Sequence, residues 1–182
     1  MKREYQKYAF IGLLLMCSMG GYAQKVFIDE NFQKWQKAGY YSNSKDFEYV
    51  TGKQEIVCAD GITRIFSFTD CIIKPNAKAS GACSKGAVFI NKKSKSNGAF
   101  ELPELPSVQK IEFTRDAKAS SWPVLEAWDG TNWNKVDEAK SEQTEGCIVS
   151  EFNYTSKTPV KLRIRIDGAR SNTLYSLRVS GF

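Results

Sequence analysis

Short runs of alternating apolar and polar residues, separated by Gly, Asn, Asp, Ser and Pro, occupy nearly the whole chain from Lys25 to Phe182. Successive side chains leave a strand on opposite faces, so this pattern predicts half-buried β-strands. The runs fall at 25–29, 47–51, 55–59, 63–68, 71–74, 87–91, 99–102, 108–114, 123–128, 133–137, 147–152, 160–167 and 173–181. In Lys161–Asp167, Leu162, Ile164 and Ile166 make one apolar face, and Lys161, Arg163 and Arg165 make a basic one. In the last run, Leu174, Ser176, Arg178 and Ser180 alternate with Tyr175, Leu177 and Val179. Helical spacing is confined to Asn31–Lys37, where Phe32 and Trp35 lie three apart; this predicts a turn or two at most.

The stretch Ser121–Val136 reads as one antiparallel hairpin. Leu125 and Ala127 point into the core, and Val124, Glu126 and Trp128 point the other way. Asp129-Gly130-Thr131-Asn132 supplies residues that close tight turns, and the second strand starts at Trp133. This reading assigns Trp133 and Trp35 to the interior, and leaves Trp122 and Trp128 outward. Many short strands at this spacing define an all-β fold, an antiparallel two-sheet sandwich of jelly-roll type.

The chain begins with the basic segment Met1–Lys7, followed by the apolar run Ala9–Met19 and the small-residue site Gly21-Tyr22-Ala23. That order predicts a secretory signal peptide over 1–23, cleaved near Ala23, and a secreted, periplasmic or cell-surface protein. The apolar run is shorter than the roughly 20 residues that span a bilayer, so no membrane span is expected. Cys17 raises lipidation as the alternative, but Met16 before it is larger than the residue that normally precedes a lipid-bearing cysteine. The remainder, 24–182, has the size of a single domain.

Composition mainly excludes. The formal charge is +6, and losing Lys2, Arg3, Lys7 and Glu4 brings it to about +4, with no nucleic-acid-binding motif beside it. There is no histidine, which removes Ser-His-Asp and Cys-His catalysis and histidine metal sites. Cys58, Cys71, Cys83 and Cys147 remain after cleavage, and four cysteines allow three pairings. Cys58 with Cys71 is favoured because both lie on adjacent strand-like segments.

The segments AFELPELPSVQKIEF (99–113), LEAWDGTNWNKV (125–136), PVKLRIRID (159–167) and LYSLRVSGF (174–182) together resemble the jelly-roll, galactose-binding-like modules of secreted bacterial proteins that bind or degrade polysaccharides, such as those beside pectate lyases. The likeness covers Ala99–Phe182, with a weaker match at Phe27–Phe32; the lyase domain itself has no counterpart here. The resemblance implies a non-catalytic carbohydrate-binding module, with an acidic or pectin-like polysaccharide as the preferred ligand. It also implies a structural calcium, for which Asp29, Glu30 and Asn31 are the nearest oxygen ligands. Otherwise no cofactor is expected.

Sugar binding needs a flat ring exposed for stacking and polar groups to fix hydroxyls. Trp122 and Trp128 are the candidate rings, and Arg163, Arg165 and Arg178 the candidate cationic strip, since a guanidinium grips a carboxylate through two N–H groups. Pairing of those arginines with Glu112 and Glu126 is the competing reading. A protein-interaction or envelope-structural sandwich would use the same face for a partner chain. A small lyase or hydrolase is the third class, with Arg163, Arg165 and Tyr175 as bases or Glu101 and Glu104 as acids.

Overall fold

The computed structural model describes residues 24–42, 46–77, 83, 86–93, 96–117, 120–139 and 146–182. The expected signal peptide and Cys17 lie outside the described residues. Among the described residues fifteen strands follow one another: β1 Lys25–Glu30, β2 Tyr40–Ser42, β3 Asp46–Glu48, β4 Val50–Val57, β5 Thr63–Lys74, β6 Ala87–Ile90, β7 Lys92–Lys93 and β8 Ser96–Asn97. Then come β9 Ala99–Glu101, β10 Lys110–Asp116, β11 Ser121–Trp128, β12 Trp133–Glu138, β13 Cys147–Phe152, β14 Leu162–Gly168 and β15 Asn172–Gly181. The described residues contain no helix, and 31–37 is a turn closed by Trp35 N donating to Phe32 O at 3.3 Å.

All pairings are antiparallel, and one strand belongs to both layers of the sandwich. The first sheet runs β12-β11-β14-β9-β5 with β4 beyond; the second runs β5-β6-β15-β10-β13, with β1 also on β15. β5 pairs with β9 over Ser67–Thr69 and with β6 over Cys71–Lys74. Between them Asp70 takes a positive φ of 47°, and the β4 register shifts between Val50 and Gly52. A bulge of this kind turns a strand through the corner of a sandwich. At that corner a Cβ on Gly98 would lie 2.7 Å from Asp70 O and Asn91 N, so only glycine lets the two backbones meet.

The core fills the space between the layers. Leu162, Ile164 and Ile166 from β14 are fully buried against Ile111, Phe113, Leu177 and Val179 of the second sheet. Trp35 is structural, as the sequence predicts: it packs edge-on to Phe32 at 5.3 Å and Phe66 at 5.0 Å, and its Nε1 donates to Glu30 Oε2 at 3.0 Å. Burying each such side chain contributes on the order of 2 kcal/mol.

β15 departs from simple alternation. The register slips between Thr114 and Arg115, so Leu174 and Leu177 both enter the core, and Tyr175 is the extra residue. Tyr175 turns instead into a second cluster with Ala77, Cys83 and Ala87, against which Phe89 and Cys147 pack.

The expected Cys58–Cys71 bridge is not formed; Cys83 and Cys147 are joined, with Cα atoms 5.7 Å apart. Register gives the reason. Cys58 follows Val57, which faces Thr63, whereas Cys71 faces Val50 at the far end of the same hairpin. At about 3.3 Å per residue the span from Thr63 to Cys71 is about 26 Å, well beyond the roughly 7 Å that a disulfide bridges. Both free thiols are buried, and burial pushes each pKa up, which makes them unreactive packing residues.

Candidate functional site

The outer face of the first sheet is built on β11, β12 and β14. β11 is held on both sides, with Ala127 opposite Leu162, Leu125 opposite Ile164 and Pro123 opposite Ile166. These positions face the core, so Trp122, Val124, Glu126 and Trp128 lie on the opposite face, together with Arg163 and Arg165, where Val124 is fully covered and Trp122 and Trp128 are partly exposed. The outward assignment of Trp122 and Trp128, on the same side as two of the arginines, therefore agrees with the alternation read from sequence.

Trp133 is a correction. It lies directly opposite Trp128 rather than in the core, and the rings pack with centroids 5.4 Å apart at 55°. The turn fixes this. Asp129 N donates to Asn132 O at 3.1 Å, and Asp129 Oδ1 accepts from the backbone N–H of Thr131 and Asn132 at 2.8 and 2.7 Å. Those donors hold the Asp129 carboxyl below its ordinary pKa. Gly130, at φ 101°, supplies the positive dihedral. A turn that closes Asp129 on Asn132 makes the flanking residues a cross-strand pair, and paired residues share a face; the spacing between the two tryptophans carried this signal.

Around the rings the polar groups are tightly paired. Glu126 is only 6% exposed, yet it sits on the outward face between two arginines. Arg163 Nε donates to its Oε2 at 2.6 Å, and Arg165 Nε donates to its Oε1 at 2.5 Å. The Arg163 guanidinium also lies over the Trp133 ring, 4.6 Å from its centroid. Trp122 Nε1 donates to Glu138 Oε2 at 3.0 Å, and Lys135 Nζ reaches the same oxygen at 2.7 Å. Asp167 faces Arg165 at 3.8 Å and Lys92 at 3.6 Å; the Gly168 N–H, then these cations, hold its pKa down.

The three-arginine strip is not assembled. Arg163 and Arg165 share the first sheet, but Arg178 lies on the second, where it contacts Asp29 at 3.2 Å. Although β14 and β15 are consecutive, the chain crosses between layers at 169–171, so Arg163 and Arg165 on one strand and Arg178 on the next face opposite sides of the molecule. Of the two acids expected to pair with arginines, Glu126 binds Arg163 and Arg165, while Glu112 lies opposite Arg178 in the register and makes its ion pair with Lys110 at 2.8 Å. Tyr175 is likewise on the second sheet, its hydroxyl donating to Asp116 at 3.0 Å, and burial first, then that carboxylate, pushes its pKa up. It is therefore not brought together with Arg163 and Arg165. Glu104 pairs with Lys161 at 3.7 Å, and Glu101 lies opposite Arg163 in the register.

Asp29, Glu30 and Asn31 line a groove of about 620 Å³ with Lys34, Glu55 and Cys58. Burial raises the Glu30 pKa, and Asn31 Oδ1 accepts from Gln33 N at 3.1 Å within its own turn. Among the described residues no three acidic or cysteine side chains converge to hold a metal.

No protein-family model matches the chain, and no curated protein is similar to it in sequence. Among solved structures, the K1 cleaved adhesin domain of Lys-gingipain from Porphyromonas gingivalis W83 aligns at 16% identity and TM-score 0.48, over 85% of this chain and 98% of that one. The K2 cleaved adhesin domain of Lys-gingipain aligns at 11% identity and TM-score 0.48, over 84% and 98%. TmCBM61, solved with beta-1,4-galactotriose, aligns at 16% identity and TM-score 0.37, over 82% and 89%. All three scores fall below 0.5, and the jelly-roll-type sandwich rests on the strand register itself.

Proposed function

We propose that this chain is an exported, non-catalytic carbohydrate-binding module whose ligand stacks on the Trp128–Trp133 pair. The single observation that carries this reading is the pairing of two partly exposed indoles on an outward sheet face, 5.4 Å apart and bordered by hydrogen-bonding side chains. Sugar rings present an apolar face to such indoles and hydroxyls to their polar rim. The apolar area is interrupted by Lys135 and Arg163, unlike the continuous patch that a protein partner favours.

Affinity electrophoresis against a panel of neutral and uronate polysaccharides tests the reading. Retardation by at least one member is expected, and Trp128→Ala should weaken it about tenfold, the size of about 1.4 kcal/mol of lost stacking. No retardation by any polysaccharide would remove the proposal. The pectin-like preference implied by the resemblance is not carried into this reading, since Arg163 and Arg165 already pair with Glu126 and Arg178 with Asp29.

A second reading, contact with a protein partner, draws on a different place. Val57, Ile62 and Ile65, 67%, 50% and 50% exposed, cluster at the tip of the β4–β5 hairpin. Light scattering of Ile65→Lys against the parent protein would expose self-association through that tip.

A further inference from the structure

Resting on the glycan reading of the β11–β12–β14 face, we infer that Glu126 is its specificity-determining residue and restricts it to neutral sugars. Each Glu126 oxygen accepts from a different guanidinium, at 2.6 and 2.5 Å, while the side chain is almost wholly shielded from water. The two cations that a uronate carboxylate would grip therefore already face two acids, Glu126 between them and Asp167 at 3.8 Å from Arg165. A second carboxylate arriving there would share them with a desolvated anion, and like charges at that range repel strongly where water is excluded. A neutral sugar meets no such penalty. Each of these two bonds uses Nε of its arginine; Arg165 Nη1 also faces Asp167 at 3.8 Å, and the remaining terminal N–H groups are donors suited to hydroxyls. Glu126 also holds Arg163 over Trp133, so the same bond that cancels charge fixes the orientation of the stacking surface. It acts as a positioning residue.

The test is affinity electrophoresis of the wild type, Glu126→Gln and Glu126→Asp in galactan, xylan, glucomannan and polygalacturonate, each at low and high salt. The wild type should be retarded by a neutral polymer with little salt dependence, and not by polygalacturonate. Glu126→Gln should bind polygalacturonate at least tenfold more tightly than the wild type does, with the gain lost at high salt because uncompensated charges are screened. Glu126→Asp, which keeps the charge on a shorter arm, should return most of the neutral preference. Strong, salt-sensitive retardation of the wild type by polygalacturonate overturns the role of Glu126 but leaves glycan binding standing. So does a folded Glu126→Gln that gains nothing. Retardation of the wild type by no polymer overturns the glycan reading itself. If circular dichroism shows Glu126→Gln unfolded, the wild-type salt series and Glu126→Asp decide.

Discussion

The two outer faces of the sandwich obey the same alternation and end as different surfaces. On the first sheet an acid 6% exposed is clamped between two arginines, one of which lies over Trp133 of the indole pair. On the second, Arg178 and Asp29 meet at 3.2 Å with side chains 52% and 54% exposed, and Lys110 bridges Glu112 and Glu151 in open solvent. The second face also has a groove of about 370 Å³, lined by Thr114, Ser176, Ser180 and these ion pairs, with no tryptophan on it. Its aromatic residues, Phe89 and Tyr175, pack with the Cys83–Cys147 bridge instead. What separates the faces is desolvation. Charge pairs in water contribute little and hold no fixed geometry, whereas a pair shielded by neighbouring side chains is costly to break and orients what lies beside it.

Several substitutions would break or sharpen that contrast. The largest effect belongs to the disulfide, which closes a loop with a sequence separation of 64. Replacing both Cys83 and Cys147 with Ser should lower unfolding stability by about 4 kcal/mol on loop entropy, read from the urea midpoint. A loss below about 1 kcal/mol, inside the range of an ordinary surface change, would show that the second face does not depend on the bridge. Next comes Glu126→Ala. It leaves two partly shielded arginines without their acid and should cost about 3 kcal/mol. Asp29→Ala removes a single, exposed arginine–carboxylate pair and should cost less than about 1 kcal/mol. Equal losses in urea titrations of the two variants would erase the distinction drawn between the faces.

The smallest effect is acid sensitivity. Arg64 donates to both oxygens of Asp60 at 2.6 and 2.7 Å and holds its carboxyl below the ordinary 3.8; Asp167 is also depressed. A carboxyl whose folded pKa is lowered contributes its stability above the unfolded value and loses it as pH falls through the folded one. Thermal midpoints should therefore drop below about pH 4, and Asp60→Asn should flatten that drop. Glu30, raised by burial, has the opposite sign: its ionisation costs stability as pH rises past the ordinary 4.5. The Glu30 window lies above 4.5 and that of the two aspartates below about 4, so a midpoint that does not fall between pH 4 and 2 would overturn the role given to Asp60 and Asp167.

Much of the first face was legible because alternation is local. A two-residue period assigns Leu162, Ile164 and Ile166 to one side and Arg163 and Arg165 to the other without reference to any partner, and β14 keeps that assignment. The period fails where an extra residue enters. In β15 Tyr175 shifts the phase, and in β12 Val136 is inserted between the partners of Leu125 and Glu126, which leaves it exposed on the surface. Bulges are set by how neighbouring strands twist, not by the residues of one strand. Arg115 shows the same limit. It occupies an inward position after Ile111 and Phe113, 1% exposed, where Nε donates to Ser150 at 3.0 Å and Nη1 to the Asp116 carbonyl at 3.3 Å. Only the meeting of β10 with β13 supplies the Ser150 acceptor.

By itself the sequence determined the strand class, the outward side of β11 and β14, the interior place of Trp35 and the absence of histidine chemistry, because each follows from residue type and short-range spacing. The tertiary structure decided which strands share a layer. It put Arg178 behind the molecule from Arg163, paired Cys83 with Cys147 rather than Cys58 with Cys71, and brought Trp133 up beside Trp128. Those outcomes depend on strands passing from one sheet to the other, as β5 does at Asp70, and such a crossing is fixed by the packing of the whole core.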